Sequence, residues 1–157
     1  MAPKITITKL DPTDKDLILK IANWYYEEWN TPIEKTIRRL TNQPNGDVLF
    51  QLVLAKDNEV VATGGLCNNV NILKVHEKLR KFKPWLALLY TAKDYRNQGL
   101  GKMLLEQIER CAKEEKLSKI YLYTFTAESL YRRCGWKQID RVHYKGHDTV
   151  VMEKGID

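Results

Sequence analysis

The sequence predicts an α/β fold in which helices lie on the faces of one mixed, mostly antiparallel sheet. Segments of strand character alternate with segments of helical period, in the order strand, two helices, three strands, helix, strand, helix, two strands. Short polar turns, Lys56-Asp57-Asn58-Glu59 and the stretch from Tyr144 to Asp148, join neighbouring strands as hairpins. One stretch, Arg96-Asn97-Gln98-Gly99-Leu100-Gly101-Lys102, lies between an apolar run and a helical pattern, so a strand, a glycine turn and a helix start follow one another.

Each element has its own signal. Lys4 to Leu10 alternates polar and β-branched apolar residues and reads as an opening strand. Thr13 caps a helix from about Asp14, whose apolar positions Leu17, Ile18, Ile21, Ala22, Trp24 and Tyr25 follow the helical period as far as Trp29. Asn30-Thr31-Pro32 ends it, and a second helix runs from about Pro32 to Thr41 before a loop through Asp47. Val48 to Ala55 and Val60 to Cys67 form a hairpin, with Gly64-Gly65 marking a bulge or a close backbone approach. Asn68 to Lys83 is polar, basic and without period, and reads as a long loop with a short helix near Val75 to Leu79. Trp85 to Thr91 is an apolar strand. The helix from Leu100 to about Lys116 carries one stripe, Leu100, Leu104, Leu105, Ile108, Cys111 and Ala112. Ser118 to Phe125 is a strand, and a short helix from Thr126 or Ala127 to about Arg133 stops at Gly135. Trp136 to His143 and Thr149 to Lys154 are the closing strands.

Composition narrows the function classes. With 157 residues, 43% apolar and 29% charged, the chain is expected to form a single domain with its own core over residues 1–157. No apolar run approaches the roughly 18 residues of a membrane span, and Met1-Ala2-Pro3-Lys4 begins no signal peptide. Three cysteines, Cys67, Cys111 and Cys134, have neither the even count of a disulfide framework nor C-x-x-C spacing, which points to a reducing cytoplasm and no metal. The net charge of +6 is dispersed except at Lys78 to Lys83, and the base-and-aromatic interleaving of a nucleic-acid binder is missing.

The glycine turn points to an anion. A helix N-terminus presents N–H groups without intrahelical partners at the positive end of the peptide dipoles. Gly99 and Gly101 let those amides approach a phosphate without an intervening Cβ, and Arg96 and Lys102 add charge. A Walker A loop is excluded, because Met103 follows Gly101-Lys102 and Arg96 stands where its first glycine belongs. A dinucleotide-binding fingerprint is excluded by Leu104 in place of the third glycine.

Three ordered segments carry a resemblance. Tyr95-Arg96-Asn97-Gln98-Gly99-Leu100-Gly101 resembles the acyl-CoA pyrophosphate loop of the GNAT superfamily of N-acetyltransferases. Ala127-Glu128-Ser129-Leu130-Tyr131-Arg132-Arg133-Cys134-Gly135-Trp136 is similar to that family's A-x-x-L-Y-x-x-x-G-[FW] segment, and Tyr144 to Lys154 to its closing hairpin. Pro84-Trp85-Leu86-Ala87 is similar to an uncharacterised bacterial branch. The resemblance is strongest from Trp85 onward.

It implies the acyl-CoA N-acyltransferase fold, with the strands at Trp85–Thr91 and Lys119–Thr124 forming a parallel pair splayed at its C-terminal end. It implies acetyl-CoA as co-substrate, without a metal: pyrophosphate on Arg96, Asn97, Gln98, Gly99, Leu100, Gly101 and Lys102, and pantetheine along Leu89, Tyr90 and Thr91. Thr124 stands where many members carry a cofactor-contacting asparagine. Tyr131 matches the general acid. Many members have a glutamate on the strand that here runs from Trp85 to Thr91 without an acid, so the base stays open between Glu27, Glu28 and His143, acting directly or through water. Cys134 reads as a packed thiol and His76 as a solvated loop residue. The implied activity is N-acetyl transfer to a primary amine, on a peptide or protein N-terminus, a lysine or a small molecule, by direct attack in a ternary complex. The basic loop favours an acidic peptide as acceptor, and the chain is expected as a monomer or homodimer. A non-catalytic CoA-binding regulatory or interaction module is the alternative.

Overall fold

The computed structural model describes residues 2–156. Its strands are β1 (Ile5–Lys9), β2 (Val48–Lys56), β3 (Glu59–Cys67), β4 (Trp85–Thr91), β5 (Lys119–Thr124), β6 (Lys137–Tyr144) and β7 (His147–Gly155). Its helices are α1 (Lys15–Trp29), α2 (Ile33–Thr41), α3 (Leu100–Glu114) and α4 (Glu128–Arg133). The strands form one sheet in the order β1-β2-β3-β4-β5-β7-β6, antiparallel everywhere except between β4 and β5.

Local chemistry explains the boundaries. Asp14, not Thr13, caps α1: its carboxylate accepts from the Leu17 N–H at 3.2 Å, while the Thr13 hydroxyl donates to Asp11 at 2.7 Å. An aspartate also suits the positive helix end better than a hydroxyl does. Asn30 ends α1 in the left-handed region at φ 57°. The β2–β3 and β6–β7 turns each place two successive residues at positive φ, Asp57-Asn58 and Lys145-Gly146, the geometry whose twist matches antiparallel strands.

Both faces of the sheet are covered. Leu100, Leu104, Leu105, Ile108, Cys111 and Ala112 of α3 are all buried, against Leu52, Leu54, Leu66, Leu86, Ile120, Leu122, Val150 and Met152. On the opposite face Ile18, Ile21 and Tyr25 of α1 and Leu40 of α2 pack on Val53 and Tyr90.

The Asn68 to Lys83 segment is more than a loop. It forms two 3-10 turns, Asn71–Lys74 and Glu77–Lys81, in place of the single helix expected near Val75. Ile72, Leu73 and Leu79 are buried on Trp85, Val142, Tyr144 and Val151, so this segment covers the half of the sheet that α1 and α2 leave open. His76 is not simply solvated; its Nε2 lies 2.7 Å from the His143 carbonyl oxygen and ties the segment to β6.

Candidate active site

The parallel pair barely pairs. Trp85↔Tyr121 is its one register partner, with the Tyr121 N–H donating to the Pro84 carbonyl at 3.0 Å, and toward their C-terminal ends β4 and β5 part. Along β3 the partners run Thr63↔Tyr90 and then Gly65↔Ala87, so two steps on β3 face three on β4. The extra residue is a bulge, and Leu88 occupies it at φ 62°. A left-handed leucine costs about 1–2 kcal/mol, which the surroundings must offset. The bulge also reverses the side-chain alternation: Leu86 packs toward α3, whereas Leu88 packs with the α1 cluster. Neither Leu88 nor Leu89 has a register partner on either neighbouring strand.

The sequence marked Gly64-Gly65 for a bulge or a close approach. The close approach is what occurs. A Cβ on Gly65 would lie 2.5 Å from Gln51 Oε1 and from the Phe50 carbonyl oxygen, and one on Gly64 would lie 2.7 Å from Leu89 Cδ1. The bulged residue lies across on β4.

From Thr91 the chain passes through a 3-10 turn, Lys93–Tyr95, into the glycine turn. Asn97 and Gly99 adopt left-handed conformations at φ 63° and 79°, and α3 starts with the Met103 N–H donating to the Gly99 carbonyl at 3.1 Å. No side chain caps this helix. A Cβ on Gly99 would meet nothing within 4 Å, and one on Gly101 only Thr91 Oγ1 at 3.9 Å. The first-turn amides are therefore open to an anion the size of a phosphate, the chemistry of a helix N-terminus. Gln98 is fixed from β2 by Lys56 Nζ donating to its Oε1 at 2.9 Å, and Lys102 is exposed. Arg96 is engaged across β4: its Nε donates to the Thr91 carbonyl at 2.8 Å, its Nη2 lies 3.5 Å from Glu28 Oε1, and the guanidinium stands 5.2 Å from the Tyr90 ring centroid.

At the end of β5 the Thr124 hydroxyl accepts from the N–H groups of Thr126 and Ala127, at 3.3 and 3.2 Å, and so shapes the entry to α4. Tyr131 on α4 is half-buried, edge-on to Trp136 with centroids 5.9 Å apart. Burial, and then the neighbouring Cys134, push its phenol above the ordinary 10.0. Cys134 packs against the α3 cluster, and no histidine bonds to it among the described residues.

The three base candidates are not equivalent. Glu27 and Glu28 both act on Tyr90, whose phenol is raised first by burial and then, against Arg96, by these carboxylates. They therefore stand near the C-terminal end of β4. Glu28 is paired with Arg96, whereas Glu27 has no ion pair among the described residues. His143 lies on β6, two strands from β5 in the sheet, with an exposed side chain. Of the aromatics on α1, Tyr25 is core, and Trp24 stacks on Tyr90 at 5.2 Å. Trp29 packs on both Tyr25 and Tyr90 yet is 48% exposed, and Tyr26 is 50% exposed. Among the described residues no cluster of three or more metal-ligating side chains occurs, and no helix is long and apolar enough to cross a membrane.

A family model described as the acetyltransferase (GNAT) family matches residues 16–136. A curated relative, an uncharacterised N-acetyltransferase of Chlorobaculum tepidum, is 27% identical over 56 residues, and the match spans 36% of each chain. An aminoglycoside 6'-N-acetyltransferase solved with coenzyme A superposes with a TM-score of 0.76 at 14% identity, covering 97% of both chains. The PaiA N-acetyltransferase of Thermoplasma acidophilum, also in complex with coenzyme A, superposes at 0.64 with 25% identity, covering 97% of this chain and 99% of that one.

Proposed function

The chain belongs to the GNAT acetyltransferase family, and from that premise we propose that it is an acetyl-CoA-dependent N-acetyltransferase acting on a primary amine by direct attack in a ternary complex. The observation that carries the reading is the divergence of β4 and β5 beside an uncapped glycine turn, with Tyr131 on α4, the helix that follows β5.

Open amides at the start of α3 and the clearance around Gly99 and Gly101 fit a pyrophosphate. Asn97, Gln98, Leu100 and Lys102 complete that cradle, and Leu89, Tyr90 and Thr91 offer the edge for the pantetheine arm. Thr124 accepts from two amides at the α4 entry and keeps its own O–H proton to offer the cofactor where other members carry asparagine. Arg96 reaches the cofactor only by exchanging Glu28 for phosphate, a trade that the doubly charged partner favours.

Acetyl-CoA, when bound, supplies a thioester whose acetyl carbon the amine attacks, the C–N bond forming as the C–S bond breaks. The unpaired peptide at Leu88–Leu89 provides an N–H for the oxygen that gains charge, a contribution worth about 3–4 kcal/mol. Tyr131 Oη–H gives its proton to the departing sulfur, and the proton that the attacking nitrogen sheds as the amide forms restores the phenol through water. The raised phenol stays protonated at working pH, and the departing thiolate, whose conjugate acid has a pKa of about 8.5, is a weaker base than the phenolate, so the transfer is uphill but within range. Glu27 or Glu28, the latter released as Arg96 turns to the phosphate, takes the ammonium proton of the acceptor through water, while His143 stands two strands away.

An acceptor bearing acidic groups, such as an acidic peptide, suits the charge around α2. Burial and then the charges of Lys74 and Arg39 hold the Lys35 ammonium below its ordinary value, so positive charge is crowded there. The three free thiols fit a reducing cytoplasm.

Thiol release from acetyl-CoA with Tyr131→Phe tests the reading. The variant should lose about a hundredfold in kcat while binding CoA as before. Unchanged kcat would remove Tyr131 from the reaction. Absence of turnover with any amine, while acetyl-CoA still raises Tm, would favour the non-catalytic module.

A further inference from the structure

A buried polar chain lies directly under the bulge and serves no surface or ligand. Tyr25, Gln51 and Thr63 are 1%, 0% and 0% exposed and come from α1, β2 and β3. Gln51 Nε2 donates to the Tyr25 hydroxyl at 3.1 Å and to Thr63 Oγ1 at 2.8 Å, and Thr63 Oγ1 donates to the Leu52 carbonyl at 2.7 Å. Because Gln51 fills an acceptor position on the Tyr25 oxygen, the phenolic proton is left for the Leu88 carbonyl oxygen at 2.5 Å. Each proton of the chain has one acceptor, and the last acceptor is the bulged peptide itself. Burial also pushes the Tyr25 phenol up, so it remains a donor at any working pH.

A trans peptide holds its carbonyl and its N–H on opposite sides. Tyr25 binds the Leu88 carbonyl from the α1 face, so the Leu89 N–H is turned away from α1, in a segment where neither residue has a register partner. From this geometry we infer that Tyr25 is a positioning residue for acyl transfer: its hydroxyl fixes the Leu88–Leu89 peptide so that the Leu89 N–H faces the acyl carbonyl oxygen. The inference rests on the acetyltransferase reading. It adds that the donor is aimed from α1, by a side chain that never touches acetyl-CoA. Gln51 sets the direction of that hydroxyl, and Gly65 is small because Gln51 Oε1 lies where its Cβ would be.

The test compares wild type, Tyr25→Phe and Gln43→Ala. Gln43 is a matched control outside the site: it is buried, and its Nε2 donates to the Leu10 carbonyl at 2.9 Å, so its removal also orphans a backbone carbonyl. Two readouts are taken, the infrared stretch of carbonyl-labelled acetyl-CoA bound to the enzyme, and thiol release with an amine acceptor. In wild type the bound band should lie below that of free acetyl-CoA. In Tyr25→Phe it should return toward the free position and kcat should fall at least about tenfold, a misaimed donor costing less than the roughly 10²–10³-fold of a deleted one. CoA, which has no acyl carbonyl, should bind Tyr25→Phe within about twofold of wild type. Gln43→Ala should lose stability and keep both the band and kcat.

A Tyr25→Phe enzyme with the wild-type band and kcat overturns the inference, as does a Gln43→Ala enzyme that loses both equally. A wild-type band at the free position, in an enzyme that turns over, also overturns it and leaves the acetyltransferase reading standing. A wild type that releases no thiol with any amine overturns that reading, and the inference falls with it. If Tyr25→Phe does not fold, Gln51→Leu takes its place. It frees the hydroxyl direction and should move the band the same way by less; an unmoved band contradicts the inference.

Discussion

Tyr131 concentrates the chemical claim in one oxygen. Its phenol is raised above 10.0 by burial, and then by Cys134, so the neutral, proton-giving form persists well above the pH at which a peptide α-amine becomes a free nucleophile. The sign gives a prediction for the pH profile. kcat/KM should rise with pH as the acceptor and its base lose protons, with no descending limb below pH 10. A descending limb centred near the ordinary thiol range would assign the proton to another group. At this scale the sequence was informative where geometry demands a residue type: glycine at the left-handed Gly99 and apolar residues along α3. It was silent on Leu88, because a left-handed leucine leaves no compositional trace and is held by Tyr25, 63 residues away in sequence. It put the α1 cap at Thr13, one residue before Asp14, whose carboxylate takes the Leu17 N–H.

Among the elements, β4 was readable in its limits and not in its interior. An apolar run from Trp85 to Thr91 specifies a buried strand, but the bulge that disengages Leu88 and Leu89 depends on how β3 pairs with it. The Asn68 to Lys83 segment was the larger misreading. Its buried residues Ile72, Leu73 and Leu79 follow no helical or strand period because they sit on two 3-10 turns, and the lysines between them dominate the composition. Leu79 is fully buried against the Trp85 cluster, so Leu79→Ala should cost about 2–5 kcal/mol in urea unfolding. A solvated loop residue would change stability by no more than about 0.5 kcal/mol. The segment therefore contributes core on its inner side, while Val75, Glu77, Arg80 and its lysines are exposed on the outer side.

For the whole molecule, the order of elements pointed to the mixed, mostly antiparallel sheet, and three ordered motifs pointed to the family and, through it, to the one parallel pair. What they could not give is how α1 participates. The first helix carries Glu27 and Glu28 beside Tyr90, the exposed Trp29, and the tyrosine under the bulge, so on the proposed reading one helix serves acceptor, base and acyl donor. These relations span α1, β2, β3 and β4, and no local pattern encodes them. The central claim is transfer of an acetyl group to an amine. The measurement that meets it most directly is mass spectrometry of a peptide and small-amine library after incubation with acetyl-CoA, alongside the CoA released. The account predicts that a class of primary amines gains one acetyl group per CoA released, and that the gain disappears with Tyr131→Phe. Thermal stabilisation by acetyl-CoA with no acceptor gaining mass, or an equal gain with Tyr131→Phe, would contradict it.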